Sequence, residues 1–277
     1  MSTKKTRRGG LSKTISRARN VMRLMTGQRF TPPYEANYSL HSTCLFARLR
    51  HYPAAGESKS QPVLFIPPLM VTAQVYDISP QHSALGYLCR NGHDVWVLDF
   101  GVPESEPGGM ERTLDDHIIA INTAVDEIVS ATGGPVHLAG YSQGGIFVYL
   151  TAAYRKSKDI ASAMTFGSPI DMQRNLPRDV DRGLLQNVVS GVRGLAGGAI
   201  EGLPGVPGSF SSLAFKMASP IKEVQYLKLM LGILDDREAL AKIEPMRRFL
   251  GGEGFIAWPG PAFRKFVDEN IFPWICY

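Results

Sequence analysis

Apolar positions in this chain fall into two patterns, short unbroken runs closed by Pro or Gly and longer stretches with helical spacing, and the two alternate. From Tyr38 to Tyr52 the chain is rich in β-formers and lacks Gly and Pro, which predicts one or two antiparallel strands. Pro62-Val-Leu-Phe-Ile66 is apolar throughout and is closed by Pro67-Pro68, the signature of a strand buried on both faces. Ser79-Pro80 reads as an N-cap with proline at the first helical position, starting a helix that ends near Asn91-Gly92. Asp94 to Phe100 is the next strand. A Pro- and acid-rich loop, 101–109, follows. Thr113 with Asp116 three residues on forms a capping box, and Ile118, Ile119, Ala124, Val125 and Ile128 give that helix an apolar face. Strands at Val136–Ala139 and Ala163–Phe166 flank an uncharged helix, Gly145–Tyr154. Alternating strands and helices predict an α/β fold with a mostly parallel sheet, helices on both faces, and functional loops at the carboxyl ends of its strands.

The ends of the chain follow other patterns. Leu11, Ile15, Ala18, Met22 and Met25 share one face of a helix, with Lys13, Arg17, Arg19 and Arg23 spread over the rest, so residues 1–33 read as a basic amphipathic leader closed by Thr31-Pro32-Pro33. Contact with an anionic membrane surface through residues 1–29, docking on an acidic partner, an organelle transit peptide and a poorly ordered terminus all fit that composition. The α/β core is expected over residues 34–182, and a lid and helical cap over 183–277. Between Arg193 and Lys216 the only charge is Glu201; six glycines and several large apolar residues suit either a lid over an acyl cleft or a disordered linker. Glu223–Leu234 and Asp235–Phe249 read as cap helices, the second kinked or interrupted by Pro245.

Charge sharpens this division. The chain has 277 residues and a net charge of +5, yet residues 1–29 hold nine Lys or Arg and no acid, so the remainder stands at −4. Basicity confined to a leader argues against nucleic acid as the partner. Three widely spaced cysteines, Cys44, Cys89 and Cys276, make neither a disulfide framework nor a metal site, so a cytoplasmic setting is expected, with no metal and no cofactor. The longest uncharged stretch, Ile128–Tyr154, is broken by Gly133-Gly134-Pro135 and reads as strand, turn and helix rather than a membrane span.

The chemistry sits at Gly140-Tyr141-Ser142-Gln143-Gly144-Gly145, a G-x-S-x-G motif between a predicted strand and a predicted helix. Gly140 and Gly144 permit the tight turn that lifts the Ser142 hydroxyl clear of the sheet as a nucleophile. An oxyanion hole then needs the backbone N–H of Gln143 and a second from the loop Pro67-Pro68-Leu69-Met70; prolines cannot donate, which leaves Leu69 or Met70. Asp99 and Asp171 end apparent strands but read as loop or capping carboxylates. Asp116 and His117, at a capped helix start, read as structural groups near the surface.

With these motifs in view the chain resembles the α/β-hydrolase superfamily, in its poly(3-hydroxyalkanoate) synthase-like branch. More narrowly it is similar to a hydrolase or lipase-like module that some bacteria fuse ahead of a long-chain acyl-CoA synthetase. Val63–Met70, Trp96–Gly101, Thr113–His117, Gly140–Gly145 and Gly254–Pro261 carry the likeness, over roughly residues 38–269. The resemblance implies a lipid acyl ester or acyl-CoA substrate and an acyl-CoA synthetase as partner or fusion. Polymer synthases of the branch place Cys where this chain has Ser142, which favours hydrolysis of an ester or thioester over polymerisation. The resemblance also implies a triad ordered Ser, Asp or Glu, then His. All six histidines, His41, His51, His82, His93, His117 and His137, precede Ser142, so the general base and acid are unassigned. A truncated or frame-shifted member lacking its last core strands is the expectation. Three activities stay open: a serine hydrolase, an inactive fragment or binding scaffold, and a synthase-like acyltransferase.

Overall fold

Val63–Ile66 (β3) is buried along its whole length, and its alternate side chains feed two different cores. Leu64 and Ile66 face one side with Leu98 and Leu138; Val63 and Phe65 face the other with Val95, Val97 and Ala139. A strand apolar at every position is thus explained by helices covering both faces of the sheet. The computed structural model describes residues 3–34, 37–58, 60–168, 204–217 and 220–266.

Six strands form one mixed sheet. They are β1 (Ser39–Cys44), β2 (Ala47–Tyr52), β3, β4 (Val95–Asp99), β5 (Val136–Tyr141) and β6 (Ile160–Phe166), in the spatial order β1-β2-β4-β3-β5-β6. β1 and β2 are an antiparallel hairpin, β2 runs antiparallel to β4, and β4, β3, β5 and β6 are mutually parallel. The chain leaves β3 toward one side of the sheet and β5 toward the other, so their carboxyl ends flank a topological switch point, where open α/β sheets form their binding crevice.

The leader forms α1 (Thr3–Met25), and three helices follow it in order: α2 (Ala84–Arg90), α3 (Leu114–Thr132) and α4 (Gln143–Tyr154). The capping box is present in full: Asp116 N–H donates to Thr113 Oγ1 at 3.1 Å, and Thr113 N–H donates to Asp116 Oδ2 at 2.8 Å. The Thr113 N–H and hydroxyl, both donating to the Asp116 carboxylate, hold it below its ordinary range. His117, one residue on, is buried rather than near the surface. Its ring lies among Phe46, Phe100 and Phe147, with Nδ1 2.6 Å from the Thr113 carbonyl. Burial pushes its pKa down to about 4.

The helix expected to start at Ser79-Pro80 starts later. Ser79 instead accepts from His82 N–H at 3.2 Å within a tight hairpin of Asp77–Ser79 and His82–Ser83, and Ser83 is the N-cap, accepting from Gly86 N–H at 2.8 Å. A Ser hydroxyl that closes a local turn is not free to cap a helix. Asp99 is also accounted for structurally: it is buried, 2.5 Å from Arg50 and 3.1 Å from Arg48, and accepts from Gly101 N–H.

Four further helices follow: α5 (Gly208–Met217), α6 (Pro220–Gly232) and α7 (Arg237–Arg248), termed the cap, and α8 (Gly260–Phe266), whose Ala262 and Phe266 belong to the main core. Of the glycine-rich segment, 204–217 is described; there Gly205 packs on the Trp258 backbone and Gly208 on the Phe255 and Ile256 backbone, so these two glycines serve close approach. Residues 193–203, Asp171 and Cys276 lie outside the described residues. α7 is capped by Asp236, which accepts from Glu238 and Ala239 N–H, and it runs through Pro245.

α1 is anchored to this cap. Arg17 donates to the Leu231 carbonyl at 2.6 Å and Asn20 to that of Leu234 at 2.9 Å, while Lys13 lies 3.7 Å from Asp235. Beyond the helix, Phe30 and Thr31 N–H donate to the buried Glu244 carboxylate at 2.7 and 3.0 Å. Ile15, Met22 and Met25 are 52%, 61% and 79% exposed. The apolar face read from the sequence therefore points to solvent, and the opposite, polar face makes the contacts.

Candidate active site

Ser142 stands where β5 gives way to α4, with φ 53° and ψ −122°. A non-glycine residue in this region is strained, and the surroundings hold it there. Its N–H donates to the Phe166 carbonyl at 2.8 Å and its carbonyl accepts from Gly145 N–H at 3.0 Å. Gly140 and Gly144 make the turn possible by proximity. A Cβ on Gly140 would collide with the backbone of Gly144 and Gly145, and one on Gly144 with the Ile66 carbonyl. The motif thus packs α4 directly on the ends of β3 and β5 and aims the helix N-terminus at Ser142.

Two side chains that sequence reasoning did not single out lock this arrangement. Tyr76 O–H donates to the Ile66 carbonyl at 2.6 Å and accepts from Tyr141 N–H at 2.9 Å, joining the ends of β3 and β5 beside the nucleophile. Burial pushes the Tyr76 phenol well up, which favours the neutral form that both donates and accepts here. The buried Gln143 side chain accepts from Leu69 N–H through Oε1 at 3.0 Å. Gln143 is thus tied to the β3 loop. A polar residue opening an otherwise uncharged helix was the one available signal for Gln143; Tyr76 had none, because its hydroxyl joins the ends of two strands, one of them 65 positions away.

The two oxyanion candidates from the loop part company here. The Leu69 N–H is already given to Gln143, and the Leu69 side chain is buried in the core. Met70 lines the same cavity as Ser142. That cavity, about 610 Å³, is walled by Pro68 and Met70 from the β3 loop, Tyr87 and Leu88 from α2, and Phe249, Leu250 and Phe255 from the cap. Its size and apolar lining suit a small or medium lipid-like group. Among the described residues no Asp, Glu, His, Lys or Arg lines it.

The histidines are engaged elsewhere. His51 pairs with Asp94 at 2.7 Å, His41 lies 3.7 Å from Glu127, and the rings of His82, His93 and His137 meet Ser79, Ser60 and Ser162. Among the described residues no group of three or more His, Cys, Asp or Glu could hold a metal ion, and no helix is long and apolar enough to cross a membrane.

A serine at a strained strand-to-helix turn, on the carboxyl side of a mostly parallel sheet covered by helices, is the arrangement of the α/β-hydrolase fold. Comparison with known proteins adds its nearer kin. The chain is similar to the poly(3-hydroxyalkanoate) polymerase subunit PhaC of Allochromatium vinosum, 26% identical over 240 residues, covering 86% of this chain and 64% of that one. It is also similar to the PhaC subunit of Thiocystis violacea, 25% identical over 240 residues, covering 86% of this chain and 63% of that one. It therefore spans just under two thirds of these relatives' length. Among solved structures it resembles a dienelactone hydrolase from Anabaena variabilis, at 16% identity and a TM-score of 0.38, covering 51% of this chain and 68% of that one. No family model matches the chain.

Proposed function

We propose that this chain transfers an acyl group through Ser142, taking it from an acyl thioester of the acyl-CoA type or a lipid acyl ester. The observation that carries this reading is the strained Ser142 opening into a 610 Å³ apolar cavity. In the proposed step Ser142 Oγ attacks the acyl carbonyl, the oxyanion accepts from the N–H groups of Gln143 and Met70, and the thiolate leaves. The Ser142 proton must pass to a base. No described residue lining the cavity supplies one, so the base belongs to residues outside the described set or to a partner.

The sequence alone leaned toward hydrolysis, because serine replaces cysteine. Similarity to polymerase subunits over 86% of the chain supports transfer to a hydroxyl acceptor ahead of transfer to water. An acyl-CoA synthetase, as partner or fusion, would be the source of the thioester.

The test is labelling with a fluorophosphonate probe, followed by acyl-CoA turnover with and without a hydroxyl acceptor. Labelling of the wild type and none of Ser142→Ala is expected, with CoA released faster when the acceptor is present. Absence of Ser142-dependent labelling overturns the proposal. A second reading, an acyl-binding scaffold without turnover, is favoured by the lack of Asp, Glu, His, Lys or Arg on the described cavity wall. Its signature is fatty-acyl binding without labelling.

A further inference from the structure

The α1 helix is amphipathic in the reverse of the usual sense. Lys13, Arg17, Asn20 and Leu24 form its inward line: the first three contact the α6–α7 corner, and Leu24 packs into the cluster of Phe30, Met230 and Leu240. Ile15, Ala18, Met22 and Met25 form the outward line, and all four are exposed. At 100° per residue the two lines lie roughly 150° apart, so the fold can bury one only by presenting the other. A continuous stripe about 15 Å long, carrying two unbranched methionines and an isoleucine, is left facing water.

The charge around this stripe selects its occupant. Residues 1–29 hold nine Lys or Arg and no acid; Lys13 and Arg17 lie on the inward line, Arg29 pairs with Glu253, and Arg19 is exposed next to the stripe. Beside α1, Val224, Leu227 and Leu231 of α6 are also exposed, at 54%, 59% and 51%. We infer that the outward face of α1 is a docking surface for an anionic lipid bilayer, with Ile15, Met22 and Met25 entering the headgroup boundary and the basic side chains meeting lipid phosphates. A bilayer takes flexible apolar side chains without a shaped pocket and rewards a segment in which every charge is positive. The inference is independent of whether Ser142 turns over.

It is tested with the full chain by sedimentation with vesicles of phosphatidylglycerol and phosphatidylcholine, against phosphatidylcholine alone, comparing wild type with the triple variant Ile15→Gln, Met22→Gln, Met25→Gln and with Arg19→Glu. These side chains touch solvent, and unchanged circular dichroism and melting are required of both variants. Wild type is expected to bind the anionic vesicles at least tenfold more strongly than the neutral ones, more weakly as salt is raised. The triple variant should lose about tenfold, Arg19→Glu should lose several-fold, and Ser142→Ala should bind like wild type. Equal binding to both vesicle types, equal binding by the triple variant, or no vesicle binding together with a concentration-dependent dimer that the triple variant abolishes would each overturn it; the last would make a second copy the occupant.

Discussion

Ser142 occupies backbone angles that cost on the order of 1–3 kcal/mol in a non-glycine residue, and the glycines around it make that cost bearable by removing every competing Cβ. Among the glycines of the motif Gly144 leaves least room against backbone, because an added Cβ would collide with the Ile66 carbonyl at the end of β3. Gly144→Ala is expected to lower unfolding free energy by at least about 2 kcal/mol in urea titrations and to abolish fluorophosphonate labelling. Gly232→Ala, where an added Cβ meets open space, should stay within about 0.5 kcal/mol of wild type. Equal effects of the two would refute the packing account. At this scale the nucleophile turn was legible, since its chemistry is written in six consecutive residues. The bond from Leu69 to Gln143 was not, since it joins positions that meet only when β3 and β5 pair.

Within α3 the capped start was readable from Thr113 and Asp116 alone, whereas the burial of His117 depended on Phe46, Phe100 and Phe147 arriving from three other elements. The folded pKa of His117, about 4, lies below the ordinary 6.5. Between those values the unfolded chain binds a proton that the folded chain does not, so stability falls as pH drops through that window and is unaffected by this group above it. The full loss is about 3 kcal/mol. Urea titrations of wild type at pH 7 and pH 4.5 should show most of that fall, and His117→Gln should show a shallower one. Identical slopes for the two proteins would remove His117 as its origin. The Ser79 helix start failed for a related reason: one hydroxyl serves one geometry, and the hairpin that claimed it was invisible to local pattern.

Across the whole molecule the leader and the cap depend on each other. Glu244, on α7 and 2% exposed, accepts from Phe30 N–H, Thr31 N–H and Arg248, so it fixes the segment after α1 to the cap. Glu244→Ala removes the acceptor of the Phe30 and Thr31 N–H groups, while Arg248 keeps Glu253 and the Gly27 carbonyl as partners. Amide hydrogen exchange should then speed up across residues 12–31 while β5 and α3 stay protected. Uniform loss of protection, or none, would contradict this coupling. The sequence suggested a leader separate from the body; the structure instead binds the leader's polar line to the cap and turns its apolar line outward.

By itself the sequence determined the strands with unbroken apolar runs, the capped start of α3 and the G-x-S-x-G turn, because each is encoded within a window shorter than a helix, and the split between a basic leader and a mildly acidic body, because charge is counted without knowing contacts. Tertiary structure decided the rest. Which of Leu69 and Met70 reaches the cavity, which face of α1 is covered, that His117 and Glu244 are buried, and that Tyr76 joins two strand ends all turn on contacts between segments far apart along the chain. Local periodicity shows that a helix has two faces, and only the surface it meets decides which one is buried.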